Sequence, residues 1–252
     1  MIKAAGLSDK GLRRQSNQDV LVINESSKLY LVADGMGGTA GGAQAAQITA
    51  ATITDFIQLA EDPADVTWPF GYKMDLVFEA NALSTALQLA NLKVWRAAEE
   101  TKQYTGMGST VVVVWVRRDK AFWSHIGDSR LHLLRDDELL QLSEDHSLVQ
   151  EQLKRGVITE AEAQTHALKH VVTRSVGRRE PLEVEVSEQS LEPGNMLMLC
   201  SDGLTNCVEP SALRLHLRQN RCLEDTCQAL IEAANRGGGS DNITAVLLQY
   251  SE

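Results

Sequence analysis

The feature that most constrains this chain is an apolar run that ends at an acidic residue and is followed by glycines. Residues 29–33 (LYLVA) predict a buried strand, which stops at Asp34. Gly35, Gly37 and Gly38 follow, so the backbone there is free to turn sharply and to approach a ligand closely. A carboxylate at the end of a buried strand is costly unless something compensates its charge, which favours a cation nearby. An Asp-Gly dipeptide is also typical of an ordinary turn.

The same arrangement recurs along the chain. Asp128 follows the run FWSHIG, Asp202 follows MLMLCS, and Asp241 lies in GGGSDN just before the strand-like ITAVLLQY. Any one of these is more often a turn or a helix cap, but four of them favour a shared site. Carboxylate oxygens are hard ligands, so Mg²⁺ or Mn²⁺ fits better than Zn²⁺ or copper. The pattern indicates a two-metal hydrolytic site, in which a bridging water becomes a nucleophile and phosphate esters are natural substrates.

Composition limits the partners. The chain has 252 residues, 43% of them hydrophobic, and a formal net charge of −10, which argues against nucleic acid or an anionic membrane as the main partner. The four cysteines show no C-x-x-C spacing, so we expect reduced thiols in a cytoplasmic protein. The first 19 residues lack the apolar core of a signal peptide, and no apolar run approaches the roughly 20 residues of a membrane span.

Periodicity predicts an alternation of strands and helix pairs within one domain. Residues 19–24 and 29–33 are predicted to form a hairpin, and 108–116 is so uniformly apolar that both of its faces should be covered. Leu182, Val184 and Val186 alternate in the period of a strand. Antiparallel sheets stacked face to face with helices outside fit this order. The predicted helices are 41–60, 74–103, 148–155, a short one begun by the capping box 159–162, 211–219 and 223–236.

Eight motifs in order resemble the metal-dependent serine/threonine protein phosphatases, the type 2C or PPM family. They are RQSNQD (14–19), VADGMGG (32–38), GSTVV (108–112), IGDSR (126–130), LSEDHS (142–147), TRSVG (173–177), LCSDGL (199–204) and GSDNIT (239–244). DGMGG is similar to the bacterial branch in particular. The resemblance implies an α+β fold over residues 1–252: an αββα sandwich of two central antiparallel β-sheets, flanked by helices on both faces.

The resemblance also implies a set of metal ligands. Asp34 would bridge two tightly bound Mn²⁺ or Mg²⁺ ions, and the carbonyl of Gly35 would bind one of them. Asp202 and Asp241 would hold the other ion. Asp19, beside Asp34 in the hairpin, would contribute indirectly, through the shell around the ions.

Further roles come from the same source. A third, weaker ion would lie on Asp128 and Asp202. Arg14 would bind the substrate phosphate and, with Asp34, make up the catalytic set. Arg13 is an alternative if the register of the N-terminal motif is off by one residue. The segment 147–174 would form a flap beside the active site.

Two departures from the family pattern affect the mechanism. Many members have Glu where this chain has Gln18, so one water-mediated metal contact loses its charge. The animal enzymes have His, the proposed general acid, where this chain has Met36, which cannot donate a proton. His146 is a substitute by residue type, but a structural role is the better interpretation, and the acid stays unassigned.

These observations favour a phosphatase acting on phosphoserine and phosphothreonine in proteins. We expect a monomer that opposes a bacterial serine/threonine kinase. A non-catalytic phosphopeptide-binding relic of the fold is a second hypothesis, although a relic would have lost ligand positions that are filled here. A metal-dependent nuclease or small-molecule phosphatase is a third, and the acidic charge speaks against the nuclease.

Overall fold

The computed structural model of the protein describes residues 1–178, 181–219 and 221–251. These residues form two antiparallel sheets packed face to face, with helices on both outer faces. The strands are β1 (Ile2–Asp9), β2 (Asp19–Asn24), β3 (Leu29–Met36), β4 (Gly108–Ser109), β5 (Val111–Arg117), β6 (Lys120–Ile126), β7 (Arg130–Arg135), β8 (Glu138–Gln141), β9 (Ser187–Ser190), β10 (Met196–Cys200) and β11 (Ile243–Tyr250). The helices are α1 (Gly38–Leu59), α2 (Phe78–Glu100), α3 (Leu148–Lys154), α4 (Glu160–Thr165), α5 (Asp202–Thr205), α6 (Pro210–Arg218) and α7 (Leu223–Arg236), with a short 3₁₀ turn at Lys102–Tyr104.

One sheet has the strand order β1-β11-β10-β7-β8, and the other has β2-β3-β5-β6-β9, with β4 paired to β3. Helix α1 packs on β3, and α7 packs on β1 and β11. The α+β prediction of an αββα sandwich is therefore confirmed.

Both faces of the central strands are buried, and for β5 the uniformly apolar run 108–116 predicts this. In β3, Leu29 and Leu31 face the helices α1 and α2, whereas Tyr30 and Val32 lie between the two sheets. In β5 the alternation is the same, with Trp115 on the helix side. Because successive side chains of a strand point to opposite faces, one apolar run supplies two layers of core. The second sheet does the same toward α6 and α7.

Several predicted boundaries agree closely with the structure. The hairpin of β2 and β3 is present, α7 covers the predicted 223–236, and Thr159 caps α4 through a complete capping box with Glu162. Helix α2 is shorter than the predicted 74–103, because its first turn begins only at Phe78. That the chain is one domain and that 147–174 forms a flap stay predictions. The structure places α3 and α4 in that segment.

Three features differ from the sequence interpretation. Strand β1 was not predicted, because its partner is β11 at the far end of the chain, paired from Ile2 with Tyr250 to Asp9 with Ile243. Leu182, Val184 and Val186 form no strand: they pack their side chains against the core, and the ladder with β6 begins only at Ser187. The predicted strand 108–116 is interrupted at Thr110, whose amide donates to the carbonyl of Asp34 at 2.8 Å.

No helix within the described ranges is both long and apolar enough to cross a lipid bilayer.

Candidate active site

The predicted acidic residues meet at one end of the sandwich. Asp34 lies two residues before the end of β3, and Asp19 begins the antiparallel neighbour β2, so the two lie directly opposite each other in the register. Asp128 follows β6, whose end pairs with the start of β5 at the same edge. In the second sheet, Asp202 follows β10, and Asp241 precedes its partner β11. Because neighbouring strands are antiparallel, the end of one lies beside the start of the next, which brings the five residues together.

Asp19 links the two sheets. It is 9% exposed, and its Oδ2 accepts hydrogen bonds from the hydroxyls of Ser201 at 2.7 Å and Thr244 at 2.6 Å, both on the other sheet's side of the site. Its Oδ1 is buried without a hydrogen-bond partner among the described residues. Asp202 has the same imbalance, since Oδ2 accepts from Asn206 at 2.9 Å while Oδ1 is buried and unpartnered. Buried carboxylate oxygens without a hydrogen-bond partner are expected where a cation binds.

Burial and mutual repulsion raise the pKa of these carboxyls. The pKa of Asp34 is held well above its ordinary value by burial first, and then by the charges of Asp19 and Asp202. Burial, followed by the charge of Asp128, raises the pKa of Asp202 to about 8. Burial also raises the pKa of Asp128 to about 6. A divalent cation among them would stabilise the ionised forms, so the residues fit a metal centre.

Arg14 is the cation that this cluster already contacts. Its Nη2 donates to Oδ2 of Asp241 at 2.6 Å, and its side chain is 56% exposed. The other oxygen of Asp241 accepts from the amide of Asn242 at 2.8 Å. Arg14 therefore lies at the mouth of the site, within reach of both a ligand and a carboxylate.

A cavity of about 890 Å³ opens over these groups. Its volume is sufficient for a phosphorylated side chain and the adjoining backbone. Predicted site residues on its wall are Arg14, Asp34, Gly35, Asp128, Asp202 and Asp241, and other wall residues include Arg13, Gln18, Met36, Thr110, His170 and Asn242.

The carboxylates are close but do not yet have coordination geometry. Across residues 1–178, 181–219 and 221–251, no group of three or more His, Cys, Asp or Glu side chains is already arranged to hold a metal ion. Two of the predicted ligands are instead bonded to protein donors, Asp241 to Arg14 and Asp202 to Asn206. A divalent ion on those two oxygens would have to replace the donors of Arg14 and Asn206.

Comparison with known proteins identifies the family. The family model described as Protein phosphatase 2C matches residues 10–247. This chain belongs to the protein phosphatase 2C family. It is 35% identical to Protein phosphatase PhpP of Streptococcus pneumoniae, over 98% of this chain and 96% of that protein.

Solved structures of bacterial serine/threonine phosphatases have the same fold. The serine/threonine phosphatase PstP/Ppp of Mycobacterium tuberculosis superposes with a TM-score of 0.87 at 31% identity, covering 100% of this chain and 99% of that one. The catalytic domain of PstP in complex with two manganese ions superposes with a TM-score of 0.81 at 30% identity, again covering 100% and 99%. The family resemblance predicted from the eight motifs is thus confirmed.

The glycines that follow two of the acidic residues are required by close packing. A Cβ on Gly35 would lie 2.0 Å from the carbonyl oxygen of Gly42, and one on Gly203 would lie 2.0 Å from that of Asn242. Strand β3 continues through Gly35 to Met36, so the sharp turn expected after Asp34 comes at Gly37 and Gly38, whose φ angles are 127° and 65°. Asp34 and Asp202 are therefore each followed by a backbone that a side chain would displace.

Sequence reasoning missed the residues that hold the site together. Asn242 is 4% exposed, and its side chain bonds three backbone groups of the N-terminal segment. Thr244 and Ser201 hold Asp19. The signal was present in the quoted motifs GSDNIT and LCSDGL, but nothing in the sequence says which backbone groups a buried Asn will meet.

The two residues that depart from the family pattern, and His146, have defined positions. Gln18 donates through Nε2 to the carbonyl of Gly38 at 2.7 Å, and Met36 lies on the cavity wall. His146 stacks on His125 with ring centroids 4.5 Å apart, and its Nδ1 accepts from the amide of Gly127 at 3.1 Å. This bond fixes the turn before Asp128, which is a structural role.

Proposed function

We propose that this chain is a metal-dependent phosphoprotein phosphatase that hydrolyses phosphoserine and phosphothreonine. The observation that carries the proposal is the convergence of five buried or half-buried aspartates at one end of the sandwich, with Arg14 at the mouth of the cavity. Membership of the protein phosphatase 2C family and the names of its relatives support the same substrate class.

The proposed cofactors are two tightly bound Mn²⁺ or Mg²⁺ ions and a third, weaker one. Asp34 and the Gly35 carbonyl would hold one ion, with Asp34 also reaching the second. Asp202 and Asp241 would complete the second site, and Asp128 with Asp202 the third. Oxygen donors alone select hard cations, and two of these carboxylates keep an unpartnered or exchangeable oxygen.

The bound ions would acidify a water for attack on phosphorus and neutralise charge on the phosphate oxygens. Asp19, which lies opposite Asp34 in the hairpin, would keep that carboxylate in place, because Asp19 is itself held by hydrogen bonds from Ser201 and Thr244 of the second sheet's side. Arg14 would bind the phosphate, and to do so its guanidinium must turn away from Asp241. Met36 has no proton to donate, so the leaving alkoxide is protonated by another group.

The alternative functions are weaker on specific grounds. A phosphopeptide-binding relic would keep Arg14 without the acidic cluster, yet the cluster is complete. A nuclease would need attraction to a polyanion, whereas the net charge is −10.

The proposed partners are phosphorylated proteins and an opposing serine/threonine kinase, with the phosphatase acting as a monomer. We place it in the cytoplasm. The free thiols of Cys200, Cys207, Cys222 and Cys227 fit a reducing compartment.

The test compares catalysis with folding. The purified protein should hydrolyse p-nitrophenyl phosphate and a phosphothreonine peptide with Mn²⁺ or Mg²⁺ and lose both activities in excess chelator. Asp34→Asn should abolish turnover while retaining a cooperative thermal melt. Asp55→Asn, an exposed aspartate on α1, is the matched control and should keep full activity. Full turnover in chelator, or a folded Asp34→Asn variant with a near-normal rate, would refute the proposal.

A further inference from the structure

A second cavity of about 430 Å³ adjoins the active-site cavity. The two share Asp128, Asp202 and His170, so whatever enters the first is next to the second. One wall comes from the α3–α4 segment and the other from the start of α6. We refer to this second cavity as the side groove.

The side groove has an apolar floor. Leu139, Val149, Val208 and Leu213 line it, and the last three are nearly buried. A charged group on that floor is already neutralised, because Arg130 donates to both oxygens of Asp145 at 2.8 and 2.7 Å. An apolar ligand group would therefore gain from burial on that floor, whereas a charged one would be desolvated there, with Arg130 already paired to Asp145.

The side groove also has polar side chains around its apolar floor. Lys169 and Glu209 line it, and His132, which is 5% exposed, lies on its wall with an Nδ1 that is buried and has no hydrogen-bond partner among the described residues. Because that nitrogen is buried, a ligand in the groove would bond the exposed polar groups of the wall instead. Polar groups beside apolar surface fit a ligand that carries hydrogen-bonding groups together with apolar surface. A polypeptide has both.

We propose that the side groove binds the stretch of substrate polypeptide flanking the phosphorylated residue and places one apolar side chain of that stretch on its apolar floor. This inference rests on the proposed function and extends it, since it names a sequence preference of the substrate. The occupant follows from continuity: the groove opens from the proposed catalytic cavity, and a residue one to three positions along an extended chain lies about 3 to 10 Å from the phosphorylated one.

The experiment uses phosphothreonine peptides that differ at one position. Leu or Asp is placed at each of the three positions on either side of the phosphothreonine in an otherwise constant peptide. Wild-type kcat/KM should favour Leu over Asp by about tenfold at one or more of these positions, the discrimination that a hydrophobic pocket commonly gives. Hydrolysis of p-nitrophenyl phosphate, which has no flanking chain, reports the catalytic centre alone.

Two variants on one helix separate the groove from the fold. Ala163 of α4 lines the side groove, whereas Ala161 of the same helix is exposed. Ala163→Trp should fill the groove and abolish the Leu preference, with p-nitrophenyl phosphate turnover and the thermal melt unchanged. Ala161→Trp should keep the preference.

The remaining outcomes distinguish a failure of the groove proposal from a failure of the proposed function. Equal kcat/KM for all Leu and Asp peptides in an enzyme that turns over p-nitrophenyl phosphate would refute the groove proposal and leave the phosphatase function standing. A Leu preference that survives Ala163→Trp would place the recognition elsewhere and also refute it. Absence of hydrolysis of every phosphate ester would instead refute the proposed function on which the groove proposal rests.

Discussion

Asn242 is expected to determine both stability and phosphate binding. It lies between Asp241 and the start of β11, and its side chain is almost fully buried. Its Oδ1 accepts from the amide of Gln18 at 2.8 Å, and its Nδ2 donates to the carbonyls of Lys10 and Ser16 at 2.9 Å each. These three bonds span the N-terminal segment that carries Arg14. Removal of the side chain by Asn242→Ala should therefore release that segment.

The magnitude follows from the three bonds. A hydrogen bond contributes a net of about 1 kcal/mol, and backbone partners left unsatisfied add to the loss, so Asn242→Ala should lower the free energy of unfolding by about 3 kcal/mol. The free energy of unfolding of a domain is typically about 5–15 kcal/mol, so the variant should still fold. Arg14 would then be held less precisely, and a charge-assisted contact of about 1.5–3 kcal/mol would be partly lost. We expect a fall in kcat/KM of about tenfold.

The assay pairs urea unfolding with p-nitrophenyl phosphate kinetics, and the chain offers a matched control. Asn195 is 5% exposed, and its Oδ1 accepts from the amide of Glu192 at 3.0 Å and from Nη2 of Arg135 at 2.8 Å. It immediately precedes β10, whereas Asp202 lies beyond the other end of that strand, so the five residues of β10, about 17 Å of extended chain, separate the two. Asn195→Ala should reduce stability comparably and leave kcat/KM unchanged.

A folded Asn242→Ala variant with wild-type kcat/KM would refute the claim that Asn242 positions Arg14. Equal loss of kcat/KM in both variants would mean that activity follows overall stability and not the position of the N-terminal segment.

Three further predictions concern single side chains. Arg14→Ala should lower kcat/KM for phosphopeptides by about one to two orders of magnitude, whereas Arg13→Ala should not, because Arg14 is the one of the two that reaches Asp241; the reverse result would shift the motif register by one. Asp128→Ala should retain two tightly bound metal ions by calorimetry and lose most peptide turnover, and loss of the tight ions would assign it to the central pair. Burial lowers the pKa of His132 from 6.5, its ordinary value, to about 4 in the folded protein. As the pH falls below 6.5, the unfolded chain therefore takes up a proton that the folded protein does not, and the free energy of unfolding should fall by about 2–3 kcal/mol by pH 4. His132→Leu should flatten urea-derived stability over that pH range, and an unchanged slope would contradict the assignment.

Local patterns predicted much of the fold. The apolar runs of β3, β5 and β11 are buried on both faces, which a uniform apolar run already indicates. The hairpin of β2 and β3 needed only a short polar turn, and it placed Asp19 opposite Asp34. Strand β1 could not be predicted in this way, because its residues alternate weakly and its hydrogen bonds are made to the last strand of the chain.

The sequence by itself determined which residue types stand at the ends of the strands and therefore the chemistry available there: oxygen ligands, an arginine and glycines. The tertiary structure decided how those groups are held. The bonds of Asp19 to Ser201 and Thr244, and those of Asn242 to the N-terminal segment, join residues more than 180 positions apart. The side groove likewise arises only where α6 meets the α3–α4 segment. Side-chain hydrogen bonds and cavities depend on which surfaces come into contact, and local periodicity carries no information about contacts at that separation.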